Sequence, residues 1–199
     1  MPFTELGKNL MLDALRGTNP TTPITHTGAF DADPTITAAT AQATGDTITK
    51  AAHGLANGNL VVLSALVGGT GLLATKPYFV IGSTTNTFQV ARQPGGAAVD
   101  ITVDYSSLSI TRLVELSGGS PAYARGSIAF AAASLEQIDD STNGVNLNVA
   151  AGATVDYVGF WSAATAGTLL AIDDVTPEVY AGQGVYQVQD AKLDLLAAV

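Results

Sequence analysis

The sequence contains no cysteine and has few charged and aromatic residues. Without cysteine, neither a disulfide framework nor a thiolate metal site is possible, and this excludes redox chemistry at sulfur. Charged residues make up 13% of the 199 residues, about half the share of an ordinary globular protein. Because 47% of the residues are apolar, a real core is expected. The weakly charged surface is typical of a subunit that packs against neighbours in an assembly.

Basic residues are scarce, and the net charge of −9 gives a sequence pI near 4.3. Proteins that bind nucleic acid need clustered Lys and Arg side chains that replace the counterions of the phosphates. Here the basic residues are dispersed singly along the chain. They are Lys8, Arg16, Lys50, Lys76, Arg92, Arg112, Arg125 and Lys192. The sequence therefore predicts no nucleic-acid partner.

Long apolar runs are also lacking. A membrane-spanning helix needs about 18 consecutive apolar residues, and no stretch approaches this length. The N-terminal segment lacks a basic start followed by a continuous apolar run, and it contains Glu5 and Asp13, so it does not resemble a targeting peptide. No membrane partner is expected.

The N-terminal segment has the pattern of a short helix. Thr4 is a suitable N-cap, and Glu5 lies in the first turn, where the helix dipole favours a negative charge. Gly17 and Pro20 end the pattern. An apolar stripe recurs at helical spacing. The stripe consists of Leu6, Leu10, Met11, Ala14 and Leu15. It must be buried either on the sheet of the same protein or on a partner.

From Ile24 onward the sequence predicts short strands separated by Gly, Asn and Pro. The predicted strands are 46–50, 59–64, 78–82, 86–91, 108–114, 122–131, 145–149, 154–161, 168–172 and 184–195. Many short strands at this spacing are typical of β-sandwiches and small barrels.

Charge divides the chain into two parts. Residues 38–113 have a net charge of +1, whereas the flanks, 1–37 and 114–199, together have −10. The segments TITAATAQATG and ELSGGSPA have the low complexity of joints. We therefore predict a β-sandwich or jelly-roll-like host domain with an N-terminal helix, formed by 1–37 and 114–199, and an inserted small β-barrel-like module at 38–113.

The host parts contain LGKNLMLDALRG, ITHTGAFDADP, GGSPAYARGSIAFAAAS, VAAGATVDYVGFWSAATAGTLL and YAGQGVYQV. In this order they resemble a recurrent family of tailed-bacteriophage virion proteins, whose members share a helix, a T-H turn, a Y-A-R strand and a G-x-W-S/D strand. The resemblance covers about 120 residues and implies virion architecture without a reaction. Where relatives commonly have a histidine before ADP, this chain has Phe30-Asp31, so a site built on that histidine would be missing.

The middle part is similar to a small β-module of phage particle proteins. Its hallmarks are an H-G-L-x-x-G corner, a G-G-T-G loop, a Pro-Tyr-Phe-Val strand and an N-T-F-Q-V strand. The residues agree physically with that resemblance, since His53-Gly54 and Asn57-Gly58 are turn pairs. In the two strands Tyr78 and Val80, and Phe88 and Val90, alternate as strands with one buried face require.

No catalytic motif emerges from the residues that could do chemistry. The two histidines, His26 and His53, read as strand ends or turns, and the G-x-S-x-G elbow of serine hydrolases is absent. A Ser-His-Asp triad is spatial and is therefore not excluded by sequence. Gly68-Gly69-Thr70-Gly71 and Gly118-Gly119 lack the lysine and the following helix of a phosphate-binding loop. We predict that both glycine segments are loops.

Three pairs of carboxylates occur at Asp31 and Asp33, at Asp139 and Asp140, and at Asp173 and Asp174. Calcium prefers six to eight oxygen ligands, so one pair supplies part of a site at most. Solvated turn residues are the simpler interpretation. A structural cation shared between subunits, or a glycosidase pair, is the alternative.

Trp161 lies in a strand, Tyr157 to Trp161, with apolar residues on both faces. This pattern is typical of a central strand covered on both sides and predicts a core tryptophan. A sugar-binding platform is the alternative.

Together these features predict a non-enzymatic virion protein without cofactor, metal or catalytic residues. We expect a capsid decoration (cement) protein on the outer head surface, a homotrimer whose partners are itself and the major capsid protein. Residues Pro2, Phe3, Leu6, Leu10 and Met11 are the predicted interaction site, facing the shell or a neighbouring protomer. The alternative is a tail or baseplate component of the adsorption apparatus, with glycan binding as a further option.

Overall fold

The fold is mainly β, as the sequence predicts. A computed structural model describes residues 23–132, 137–142, 144–189 and 191–194, and no helix occurs among them. The predicted N-terminal helix lies outside the described residues. The strands are β1 (His26–Ala32), β2 (Ile36–Gln42), β3 (Thr47–Thr49), β4 (Leu60–Thr70), β5 (Pro77–Ile81), β6 (Thr87–Ala91), β7 (Val103–Glu115), β8 (Gly126–Ser127), β9 (Gln137–Asp139), β10 (Val145–Val149), β11 (Thr154–Trp161), β12 (Leu169–Val179), β13 (Gly184–Val188) and β14 (Lys192–Asp194).

The chain divides into two compact units. Ala32–Val114 forms one, the barrel unit, and Met1–Asp31 together with Glu115–Val199 forms the other, the split unit. The predicted insert, 38–113, covers the barrel unit except for its first six residues and its last one. The two ends of the barrel unit run side by side, because the Asp33 amide donates to the Arg112 carbonyl at 2.9 Å.

The barrel unit is a closed six-stranded barrel. Its strands follow the order β7-β2-β3-β6-β5-β4, and β4 pairs again with β7. Every other side chain of these strands points inward, as the alternation in the sequence requires. Large buried side chains fill the interior, as expected for a small barrel. They include Ile48, Leu63, Tyr78, Phe88, Leu108 and Ile110.

The G-G-T-G segment closes over a tyrosine of the barrel. Gly68, Gly69 and Thr70 belong to the end of β4, so the predicted loop is wrong over these three residues. Gly69 has a φ of +69°, and a Cβ there would lie within 2.6 Å of three Tyr105 ring atoms. The Tyr105 hydroxyl accepts from the Leu72 amide at 3.0 Å. Glycine is needed because the backbone crosses the aromatic ring.

The H-G-L-x-x-G corner is held by side-chain to backbone hydrogen bonds. His53 is buried, and its Nδ1 accepts from the Leu55 amide at 3.0 Å. The Asn57 side-chain oxygen accepts from the Ser83 amide at 2.8 Å, and the Ser83 hydroxyl donates to the Leu55 carbonyl at 2.7 Å. The corner therefore ties two loops of the barrel unit together, which explains its polar hallmark residues.

The split unit consists of three paired groups of strands. β11 lies between β12 and β1, β8 pairs with β1, β10 pairs with β13, and β9 pairs with β14. The first two groups share one apolar core. This core includes Ala29, Val158, Phe160 and Ala171 together with Val145, Leu147, Val149 and Val188.

Several strand predictions need correction. β1 was not predicted, and β2 lies in the TITAATAQATG segment that the composition presents as a joint. The predicted strand 122–131 is a strand only at Gly126–Ser127. These segments are rich in Ala, Thr and Gly, whose pairing is decided by tertiary contacts more than by local pattern.

Replacing Gly69 by alanine tests how much the close approach of the Gly69 backbone to the Tyr105 ring contributes to stability. We expect Gly69→Ala to lower the free energy of unfolding by about 2 kcal/mol or more, because strained φ and overpacking add. Gly95→Ala is the matched control, since Gly95 has a similar φ of +65° and open space around it. Urea denaturation of both variants isolates the contact with Tyr105. Equal losses would contradict this explanation.

Candidate functional site

Residues of the Y-A-R and G-x-W-S motifs meet in one place in the split unit. Tyr123 and Arg125 come from the segment before β8, and Trp161 ends β11. Phe30 of β1 and Glu115 at the end of β7 complete the group. We call these five residues the Trp161 cluster.

Arg125 is the centre of the Trp161 cluster. Its Nε donates to Glu115 Oε1 at 2.7 Å, and its Nη2 donates to Glu115 Oε2 at 2.6 Å. Its Nη1 donates to the Ala163 carbonyl at 3.1 Å, and its Cζ lies 4.1 Å from the centroid of the Trp161 ring. The two side chains of the ion pair are 11% and 30% exposed. A bidentate pair and a cation–π contact thus hold a guanidinium that has little access to water.

Tyr123 connects this ion pair to the sheet. Its hydroxyl accepts from the Ala29 amide at 3.0 Å and lies 3.3 Å from Glu115 Oε1, to which it donates. Burial raises the pKa of Tyr123 well above its usual value, and the nearby Glu115 carboxylate raises it further. The phenol therefore stays protonated through the whole neutral range and acts as a fixed hydrogen-bond bridge.

The glycine of the G-x-W motif makes room for the aromatic rings. A Cβ on Gly159 would lie 2.6 Å from the Trp161 ring and 2.7 Å from the Phe30 ring. The Phe30 and Trp161 rings stack with their centroids 5.2 Å apart. The motif spacing is thus explained by packing, because the ring of residue 161 folds back over residue 159.

Trp161 is a core residue, as the sequence predicts. Its side chain is 3% exposed, and β11 pairs with β1 on one side and with β12 on the other. The alternative of a sugar-binding platform is wrong for this residue, because Arg125 and Phe30 both pack against the indole ring and leave little of its surface accessible to a ligand.

The two histidines lie in different units. The ring of His26 shares a hydrogen bond with the Thr25 hydroxyl, its Nδ1 lying 2.9 Å from Thr25 Oγ1. His53 bonds to the Leu55 amide, and its ring packs 5.0 Å from Phe88. Within the residues that the structure describes, neither histidine bonds to a carboxylate. Among these residues, no histidine meets an acid as a Ser-His-Asp triad would require.

The paired carboxylates have separate local roles. Asp31 Oδ2 accepts from the Thr154 amide at 3.1 Å, and Asp33 pairs with Arg112 at 2.5 Å. Asp140 Oδ1 accepts from the Thr142 amide at 2.7 Å, as in a turn. Burial raises the pKa of Asp173. In the described part of the chain, no group of three His, Asp or Glu side chains could hold a metal ion.

The predicted interaction residues Pro2, Phe3, Leu6, Leu10 and Met11 lie outside the described residues. Glu115 was missed in the sequence, because it follows a strand and its partner Arg125 is ten residues further along an irregular segment. No local pattern indicates such a pair. The described residues also contain no helix that is long and apolar enough to cross a membrane.

Comparisons of this chain with models of protein families, with curated proteins and with solved structures found no match. The polar side-chain groups of Glu115, Tyr123 and Arg125 bond to one another or to the backbone, so these three side chains hold segments of the split unit together.

Removing the Glu115 carboxylate tests the ion pair. We expect Glu115→Ala to destabilise the split unit by about 2–4 kcal/mol, because it leaves the charge of Arg125 with little water and without its partner. Asp33→Ala is the comparison, since Arg112 and Asp33 are 36% and 38% exposed and should contribute at most about 1 kcal/mol. Chemical denaturation measures both, and equal effects would contradict the assigned role of Arg125.

The raised pKa of Tyr123 predicts a loss of stability in alkali. The phenol ionises near pH 10 in the unfolded chain and at higher pH in the folded chain, so its contribution is complete below about pH 10 and is lost as the pH rises further. Tyr123→Phe should flatten the decline by up to about 1.4 kcal/mol per pH unit. Unfolding curves between pH 9 and 11.5 measure this, and an unchanged slope would contradict the assignment.

Proposed function

We propose that this chain is a non-enzymatic structural protein of a tailed-bacteriophage particle. The main support is that the residues carrying the resemblance to virion proteins are used for holding the fold. Tyr123, Arg125 and Trp161 form a buried cluster in the split unit. In the barrel unit, the hallmark residue His53 holds the H-G-L-x-x-G corner, and Gly69 lets the backbone cross the Tyr105 ring. Side chains that are fixed in this way stabilise a scaffold and leave few groups for a reaction.

Within the particle we propose the role of a capsid decoration protein on the outer head surface. A protein that binds the assembled shell and not its free subunits stabilises the shell by mass action. A homotrimer would multiply modest contacts through multivalency. The net charge of −9 favours a position away from the packaged DNA, because it repels phosphates.

Among the residues that the structure describes, two exposed valines of the split unit are candidates for contact with the major capsid protein or a neighbouring copy. Val179, the last residue of β12, is 73% exposed, and Val185 of β13 is 54% exposed. They flank the short turn between these strands. Large apolar side chains at such exposure gain from burial in an interface.

The proposal includes a β-sandwich or jelly-roll-like arrangement of the split unit. Its support is the apolar core shared by β1, β11 and β12 with β10 and β13. Two sheet layers that contribute to one core are typical of sandwiches.

The test uses purified protein and phage heads that lack it. We expect fluorescently labelled wild-type protein to bind intact heads, and Val179→Asp/Val185→Asp to reduce the number of bound copies at least tenfold, since two charges would need desolvation (about 1.4 kcal/mol corresponds to tenfold). Ala164→Asp/Thr165→Asp is the matched control, because it adds the same charge at exposed positions of the same unit.

Electron microscopy of labelled particles locates the protein. Label over the head supports decoration, whereas label on the tail or baseplate overturns it in favour of an adsorption component, whose glycan binding a glycan array would then test. If the valine variant binds heads as well as the wild-type protein does, Val179 and Val185 are not the contact residues.

A further inference from the structure

His53, in the H-G-L-x-x-G corner of the barrel unit, is buried with only one of its ring nitrogens bonded. The residue is 7% exposed, and its Nδ1 accepts from the Leu55 amide at 3.0 Å. Its Nε2 is shielded from water, and no group among the described residues bonds to it. The Phe88 ring packs with its centroid 5.0 Å from that of the imidazole. Because a ring nitrogen that accepts a hydrogen bond carries no proton, the imidazole is neutral here, with its one proton on Nε2.

The corner and the strands next to it carry no carboxylate that could stabilise a positive charge on this ring. The sequence has no Asp or Glu between Asp46 and Asp100, a range that includes β3, β4, β5 and β6. The Asp46 carboxylate accepts from the Ile101 amide, and Asp104 of β7 accepts from the Ala43 amide. Apart from His53, the titratable side chains of 47–99 are cations or phenols, namely Lys50, Lys76, Tyr78 and Arg92. None of these provides a negative charge in acid.

A proton on Nδ1 and the hydrogen bond between His53 and Leu55 exclude each other. Protonation would turn Nδ1 into a donor that faces the N–H of Leu55, and it would leave a charge in apolar surroundings without a partner. The ring therefore has to leave its place in order to take up the proton. In an unfolded chain an imidazole takes up a proton near pH 6.5, so acid favours an open corner below about this pH.

Opening the corner would also release the loop between β5 and β6. The Leu55 carbonyl accepts from the Ser83 hydroxyl at 2.7 Å, and the Ser83 amide donates to the Asn57 side-chain oxygen at 2.8 Å. These bonds join uncharged groups, so acid does not weaken them directly and acts through His53. The position of one imidazole ring thus decides whether the two loops stay tied together.

We propose that the H-G-L-x-x-G corner is an acid-sensitive latch of the barrel unit, closed by the neutral ring of His53 and opened by its protonation. The stabilisation by the latch is complete above about pH 6.5 and is lost as the pH falls, because the open corner binds a proton that the closed corner excludes. The equilibrium constant for opening then rises up to about tenfold for each pH unit. The inference does not depend on the proposed function.

His26 of the split unit provides an internal comparison, because its bonded nitrogen is already a donor. The Thr25 hydroxyl donates its hydrogen to the Ser162 carbonyl at 2.8 Å. The Nδ1 of His26 therefore donates to Thr25 Oγ1, 2.9 Å away. A second proton on the other nitrogen of His26 leaves this bond in place, so protonation of His26 does not require the local structure to open.

Amide hydrogen exchange of the full-length protein measures the opening of the latch. We expect the protection of the Leu55 and Ser83 amides, corrected for the intrinsic exchange rate at each pH, to fall about thirtyfold between pH 7.5 and pH 5.0. His53→Asn should abolish this fall, because the asparagine oxygen can accept from the same amide, as in an Asx turn, and does not titrate. His26→Asn is the matched control and should keep the wild-type response. Equal protection of the wild-type protein at both pH values, or an equal fall in His53→Asn, would overturn the proposal.

Nitrogen NMR of the histidine rings in the wild-type protein covers the case in which His53→Asn fails to fold. We expect His53 to have its proton on Nε2 for as long as the Leu55 amide is protected, and to become an imidazolium only together with the loss of that protection. A His53 ring that carries its proton on Nδ1 at pH 7.5 would contradict the proposal. An imidazolium at His53 while the Leu55 amide stays protected would overturn it as well.

Discussion

The split unit depends on the neutralisation of one guanidinium group. Arg125 has little access to water, and an isolated charge in that position would be strongly unfavourable. Glu115 satisfies it with two hydrogen bonds, Trp161 provides an aromatic face, and Tyr123 links the pair to the backbone of β1. Chain segments that are distant in sequence thus meet through one charged group, and the glycine at position 159 provides the space that the rings need.

The two units differ in whether their described strands leave an open sheet edge. In the barrel unit every strand of the ring is paired on both sides, because β4 returns to β7, and closure removes the exposed backbone groups that promote edge-to-edge association. Among the described residues of the split unit, β12 is the last strand of its sheet, and from Asp173 onward it contains Pro177 and three acidic residues, Asp173, Asp174 and Glu178. Proline and charge at an edge oppose uncontrolled pairing.

The sequence predicted the mainly β fold, the strands β5 and β6 from their alternation, and β11 from its apolar residues on both faces. It missed β1 and β2, whose Ala, Thr and Gly residues give little contrast between the faces. It also ended β12 at residue 172, because a polar stretch with a proline follows, whereas the structure continues the strand to Val179. The core position of Trp161 was predictable from the two apolar faces of its strand. The pairing of Glu115 with Arg125 was not, since it depends on how an irregular segment folds back.

The side-by-side ends of the barrel unit have a consequence for how such a chain can change over evolution. Asp33 and Arg112 are joined both by a backbone hydrogen bond and by an ion pair, so the polypeptide leaves at almost the same point at which it entered. A cassette of this geometry can be gained, lost or exchanged by recombination without stretching the chain around it. The same geometry makes the paired chain ends at Asp33 and Arg112 a suitable position for inserting a foreign domain that the protein would then display.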